Sequence, residues 1–228
     1  MTYLSDQALK TAFLEEIGKH EAADQLVKGN YGYMNGLFKG CAIGCSLHSL
    51  NLIHGKPDLY ETGNHRRMMH ELGWPLWLAY IADTIFEGLP DALSATWPRR
   101  LAEAISVGIR VPEIVLAKVM RWILLDAQFG MVSVTESASA KTSVLNVGAL
   151  FDRVVKGDIV PEQEWAEAGA AAGAVGVAVA RASIAAWEAG AWAADEASLD
   201  AAPYFYPALS EELIRLLKDL EEEMRLSR

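Results

Sequence analysis

The stretch Pro75-Leu-Trp-Leu-Ala-Tyr-Ile-Ala-Asp-Thr-Ile-Phe-Glu-Gly88 decides the fold class. Leu78, Ile81, Ile85 and Phe86 recur at intervals that gather them on one face of a helix and on no face of a strand. Pro75 stands where a first helical turn tolerates a missing N–H, and Gly88 stands where a helix stops. The same punctuation repeats on both sides. Upstream, Ser5 is placed to cap a helix carrying Leu9, Phe13 and Ile17, running toward Leu26 and ending at Gly29. Gly29 to Gly40 reads as loop, and Cys41 to His54 as a helix stopped by Gly55. After a loop around Pro57, a short helix runs from Asn64 to Gly73. Downstream, Pro98 opens a segment with Leu101 and Ile105 that closes at Gly108. Pro112 opens another with Val115, Val119, Trp122 and Ile123, closing by Gly130.

Residues 131–143 read as the longest polar connection, with Met131 to Thr135 the one weak strand candidate. Val144, Val147, Phe151, Val154 and Val155 then form a helix stopped by Gly157. No run shows sustained period-two alternation, so the expectation is all-α: a multi-helix bundle with a long Ala-rich helix and a C-terminal amphipathic helix. Trp74 and Trp97, each just before a proline, are expected as core anchors.

The character changes after residue 157, which suggests a core domain over 1–157 and an appended Ala/Trp-rich region over 158–228 packed on it. Alanine dominates from Ala166 onward, interleaved with Trp165, Trp187 and Trp192, and predicts one long helix despite Gly169, Gly173, Gly176 and Gly190, with an interruption near Gly190 or a low-complexity disordered tail as the alternatives. Pro203-Tyr-Phe-Tyr-Pro207 reads as a stiff aromatic hinge, followed by a helix capped by Ser210. Leu213, Leu217, Leu220 and Met224 make a narrow seam for a partner helix, in this chain or in a second copy.

The net charge is −10, from 20 basic and 30 acidic residues. Residues 111–228 carry 10 basic and 18 acidic side chains, so most of the excess lies there. A field of that sign repels phosphate backbones and disfavours nucleic acid; a basic protein partner suits it, and so does an acidity that simply keeps the protein soluble, the reading that ordinary small domains favour. The longest uncharged run in this half, Ala168 to Ala180, would span about 20 Å as a helix, short of a bilayer core. With no basic apolar leader and two cysteines, a reducing cytoplasm is expected.

Chemistry-bearing residues concentrate in one place. All five histidines lie between His20 and His70, and both cysteines fall in Gly40-Cys-Ala-Ile-Gly-Cys-Ser-Leu-His48. On a helix Cys41, Cys45 and His48 share one face, and two thiolates with an imidazole are plausible zinc ligands, with His65, His70 or Glu71 as a fourth. Alternatively Cys41 is a nucleophile, its thiolate favoured by a helix N-terminus; His48 lies about 10 Å further along the axis, too far to be its base. A packing role is the third reading, with both cysteines as small buried hydrophobes and His48 hydrogen-bonded beside them. Asp83 and Glu87, four apart, and the group Glu15, Glu16 and His20 read as solvated faces. No P-loop, Rossmann, G-x-S-x-G or H-E-x-x-H motif occurs.

Gly40-Cys-Ala-Ile-Gly-Cys-Ser-Leu-His48, Ile85-Phe-Glu-Gly-Leu-Pro90, and Trp97-Pro98 with Ala104-Ile-Ser-Val-Gly108 together resemble an uncharacterised family of bacterial and phage proteins with an Ala- and Trp-rich helical C-terminal half. The likeness is close over residues 36–128 and compositional in the Ala-rich segment. It carries no activity, cofactor or catalytic residue, and implies a genomic setting where small accessory and host-modulating proteins are common. The resulting expectation is a non-enzymatic accessory or interaction protein without a cofactor, phage-associated, acidic and acting on a basic host protein. The alternative is a metal- or thiol-dependent enzyme centred on Cys41, Cys45 and His48, with zinc as the metal.

Overall fold

The computed structural model describes residues 1–34, 37–56, 63–135, 137–174 and 202–227. Among them the chain forms eleven α-helices: α1 Gln7–Ala22, α2 Ala42–Ile53, α3 His65–Leu72, α4 Leu76–Gly88, α5 Asp91–Ser94, α6 Trp97–Ala104, α7 Glu113–Leu125, α8 Met131–Val134, α9 Ala138–Val155, α10 Glu162–Ala174 and α11 Ala202–Leu226. The fold is all-α, as the periodicity predicts. The exception is a small antiparallel hairpin, β1 Tyr33–Met34 with β2 Leu37–Phe38, inside the segment read as loop. No described helix is long and apolar enough to cross a membrane.

The chain divides into two compact units, Met1–Val111 with Leu217–Arg228, and Pro112–Leu216. This division does not coincide with the one drawn at residue 157, because α7 and α9 lie against each other across the Ser/Thr-rich connection and α10 packs on α9. The first unit has an aromatic centre. Trp74 meets Tyr3 and Phe13 edge-on at 6.1 Å each, and all three rings are buried. Trp97 is fully enclosed and donates from Nε1 to the Ala82 carbonyl at 2.9 Å. Both predicted tryptophan anchors are therefore core residues. In the second unit Val115, Val119 and Ile123 of α7 are buried, as are Val144, Val147 and Phe151 of α9, and Trp165 of α10 crosses the Phe151 ring at 4.8 Å.

Several boundaries differ from the sequence reading. Asp6 caps α1, its carboxylate accepting from Ala8 N at 2.7 Å, while Ser5 sits at a positive φ of 63°. The helix stops at Ala22 because Gln25 and Val27 exchange backbone hydrogen bonds with Gly40. Residues 131–143 are not one polar connection: Met131–Val134 is a helical turn, and Ser137 caps α9 seven residues before Val144. The expected hinge at 203–207 lies within α11, and Ser210 is inside that helix, its hydroxyl donating to the Pro207 carbonyl at 2.7 Å. Leu213, Leu217 and Leu220 are buried within the single chain. Pro57, Gly176, Trp187, Gly190 and Trp192 lie outside the described residues, as does the expected continuation of the Ala-rich segment beyond residue 174.

Candidate functional site

α2 begins at the expected place, with Cys41 as its N-cap, and is buried nearly all round. Its three candidate residues share a face and then part company. Cys41 Sγ accepts from Gly44 N at 3.5 Å. Cys45, one turn on, donates its thiol toward the carbonyls of Gly40 at 3.3 Å and Gln25 at 3.6 Å. His48 turns to α1, where its Nδ1 lies 3.2 Å from Nε2 of His20. Phe38 of β2 stacks on the His48 ring at 3.9 Å. The cysteines are free thiols.

A different set converges. Cys41 Sγ, a carboxylate oxygen of Asp83 and one of Glu87 lie within 4.8 Å of one another. Asp83 is buried, which corrects its assignment to a solvated face, while Glu87 is exposed at the rim. The sequence signal for this was present: α4 opens with an uninterrupted apolar run, Leu76 to Ala82, the pattern of a helix enclosed on all sides, so an acid in its next turn falls inside.

Each of the three groups is held by a donor supplied from another segment or from its own helix. Asp83 Oδ2 accepts from Tyr31 Oη at 3.2 Å and faces His65 Nε2 at 3.0 Å. Both oxygens of Glu87 accept from Gly29 N, at 3.1 and 2.9 Å. Gly44 N serves Cys41. Tyr31 and His65 were not singled out with Asp83 by sequence, because nothing in their spacing ties a tyrosine before the hairpin and the first residue of α3 to α4. The approach of the Tyr31 segment requires glycine at position 44: a Cβ there would stand 2.6 Å from the Tyr31 carbonyl oxygen.

Asp83 Oδ1 is buried and accepts from no nitrogen or oxygen donor, although the residue is 8% exposed; the Cys41 thiol lies against the same carboxylate. Buried carboxylate oxygens are nearly always satisfied, so one lacking such a donor calls for an explanation. The surrounding acids respond to the same negative field. Burial, and then the Asp83 charge, push the Cys41 thiol up. The same two causes, in the same order, push up the Tyr31 phenol. Burial also raises Glu87, with the Asp83 charge adding and the Gly29 N–H and Lys28 opposing. The helix N-terminus that would favour a Cys41 thiolate is present but outweighed, so the free thiol stays protonated and enclosed. Cys45 is pushed up to about 12 by burial.

His54 pairs with Glu71 at 2.8 Å and His70 is exposed, so neither reaches Cys41, Cys45 and His48 as a shared fourth ligand. His65 reaches the Asp83 group instead. Of Glu15, Glu16 and His20, the histidine is buried, with Nδ1 on Gln25 Oε1 at 2.5 Å, and Glu16 pairs with Lys19. Compared with protein-family models, curated proteins and solved structures, the chain matches none.

Proposed function

We propose that this protein binds a divalent transition-metal ion, of the zinc class, between Cys41, Asp83 and Glu87. The observation that carries the reading is Asp83 Oδ1, a buried carboxylate oxygen with no nitrogen or oxygen donor, beside a thiol and a second carboxylate. A sulfur donor selects against calcium and magnesium, which take oxygen ligands, and suits zinc, cobalt or iron. Three protein ligands leave a fourth tetrahedral position for water or substrate. The ion would reverse the local electrostatics: Cys41 would release its proton on coordination, and the carboxylates would face a cation in place of one another. The outer donors on each ligand, Gly44 N, Tyr31 with His65, and Gly29 N, are what a metal shell needs to fix its ligands. Cys45 and His48 then belong to the packing around the shell.

The test is zinc titration of metal-free protein against a chromophoric chelator, with cobalt substitution to report a thiolate-to-metal absorption band. Wild type is expected to take up about one ion per chain. Cys41→Ser and Asp83→Asn should each lose at least the ~10–100-fold in affinity that disturbing an outer-shell partner brings. Folded wild type that takes up no ion, or Cys41→Ser and Asp83→Asn variants that bind as wild type does, would refute the site.

The charge pattern favours a second reading, an accessory protein that engages a basic partner, and the phage-type setting implied by the motif resemblance is consistent with it. Residues 158–200 hold eight acidic side chains against Arg181 alone. Binding of this kind is expected to weaken steeply as salt rises from 50 to 500 mM in a direct titration with the basic partner, and to survive Cys41→Ala. Salt-independent binding would remove it.

A further inference from the structure

We infer that His65 is the positioning residue of this site: it holds Asp83 by one oxygen so that the other, Oδ1, is presented to the metal. The inference rests on the metal reading above and adds a role for a side chain outside the ligand set. The asymmetry of the Asp83 carboxylate is its basis. Two donors from separate segments, Tyr31 Oη and His65 Nε2, converge on Oδ2, and no nitrogen or oxygen donor reaches Oδ1. An aspartate χ2 is broad and nearly two-fold, so a free carboxylate exchanges its oxygens readily. Two donors on one oxygen remove that freedom.

His65 is itself over-determined, which suits it for the task. Its Nδ1 faces the Gly63 carbonyl at 2.8 Å and its Nε2 faces Asp83; both partners only accept, so both nitrogens donate and the ring is in its imidazolium form. Its ring lies flat on Tyr80, 4.1 Å between centroids and 4° between planes. The side chain is 8% exposed. Gly63 adopts a φ of +55°, open to glycine at little cost, and the Tyr31 ring lies 3.4 Å from where a Cβ would stand, so this turn delivers both the carbonyl and the phenol. Two contacts fix the imidazole plane, and the remaining nitrogen has a single target. Ligating carboxylates are themselves held by hydrogen-bond donors outside the ligand set, and the loss of such a partner typically weakens metal binding ~10–100-fold, the range expected here.

Two variants separate positioning from packing. His65→Asn keeps a donor near the Nδ1 position, toward Gly63, and withdraws from Asp83. His65→Gln reaches Asp83 and gives up Gly63. Zinc affinity by chelator competition, the cobalt spectrum and the unfolding midpoint of the metal-free protein are measured for both. The expected result is an affinity loss of ~10–100-fold in His65→Asn with a disturbed cobalt spectrum. His65→Gln should restore most of that loss, although both variants lose metal-free stability. Wild-type affinity in His65→Asn overturns the inference, and so does weakening in both variants that merely tracks their lost stability. Should wild type bind no zinc, the site itself falls; wild-type binding with an indifferent His65 removes only the positioning role.

Discussion

Cys41, at the N-terminal end of α2, lies among two carboxylates and a phenol, whereas His48, two turns further on, lies against a second imidazole and a phenyl ring. The N-terminus and the middle of one helix therefore hold their titratable groups in opposite ways. At the first, burial and negative charge make acids keep their protons. At the second, burial makes bases refuse them: His48 is lowered to about 4, by burial first and by His20 next, and His20 is lowered mainly by burial. Positions i and i+7 share a helix face, yet seven residues at 1.5 Å each separate them by about 10 Å. A common face is enough for packing. Coordination requires a common point, and the neighbouring elements decide whether one exists.

The contrast breaks most visibly by removing the acid at one place and the base at the other. Asp83 and His65 form a pair with side chains 11% and 8% exposed. Asp83→Ala leaves His65 Nε2 buried, and Tyr31 Oη half-buried, without their acceptor, and stripping one member from a buried charged pair destabilises by about 3–5 kcal/mol. His48→Gln loses a ring stack and one hydrogen bond at a half-buried position, worth about 1 kcal/mol. Chemical denaturation of metal-free protein should show that order. Equal losses would mean that the carboxylate cluster is no more central to the fold than the imidazole pair.

That order was only partly legible in the sequence. Helix existence was, because Phe13 and Ile17 in α1, the enclosed run of α2 and the Pro75–Gly88 stripe each satisfy a local rule. Helix ends were less so. Asp6 and Ser5 are equally good caps by residue type, and the choice fell to a left-handed turn in which Thr2 is tied to residues 106–109. The aromatic stretch at 203–207 has the proline spacing of a hinge, yet it continues as helix, with Leu209, Leu213 and Leu217 buried. For the site, the sequence supplied Cys41 and the Asp83/Glu87 pair as separate observations. What joins them is the segment Gly29–Tyr31, anchored to α4 at two carboxylates and to α2 through the close approach at Gly44. Contacts of that range leave no periodic trace.

The imidazole pair offers the finer, pH-dependent test. Gln25 Oε1 accepts from His20 Nδ1, so His20 Nε2 is bare and accepts from His48 Nδ1, which leaves His48 Nε2 as the nitrogen that titrates. Glu16 favours the charged form of both rings, and Lys19 opposes it at His20, but burial dominates. With the folded value of His48 near 4 and the ordinary value at 6.5, the unfolded chain takes up the proton first as pH falls. The sign follows from linkage: this contribution to stability is fully present above 6.5, declines as pH drops through the window, and is lost by about 4. Denaturation midpoints measured at half-unit steps from pH 7.5 to 4 should fall more steeply for wild type than for His48→Gln, with the two curves running parallel above 6.5. Curves parallel throughout the window would mean that His48 takes its proton equally well folded and unfolded. The start and the middle of α2 would then differ in composition alone, with no electrostatic opposition between them.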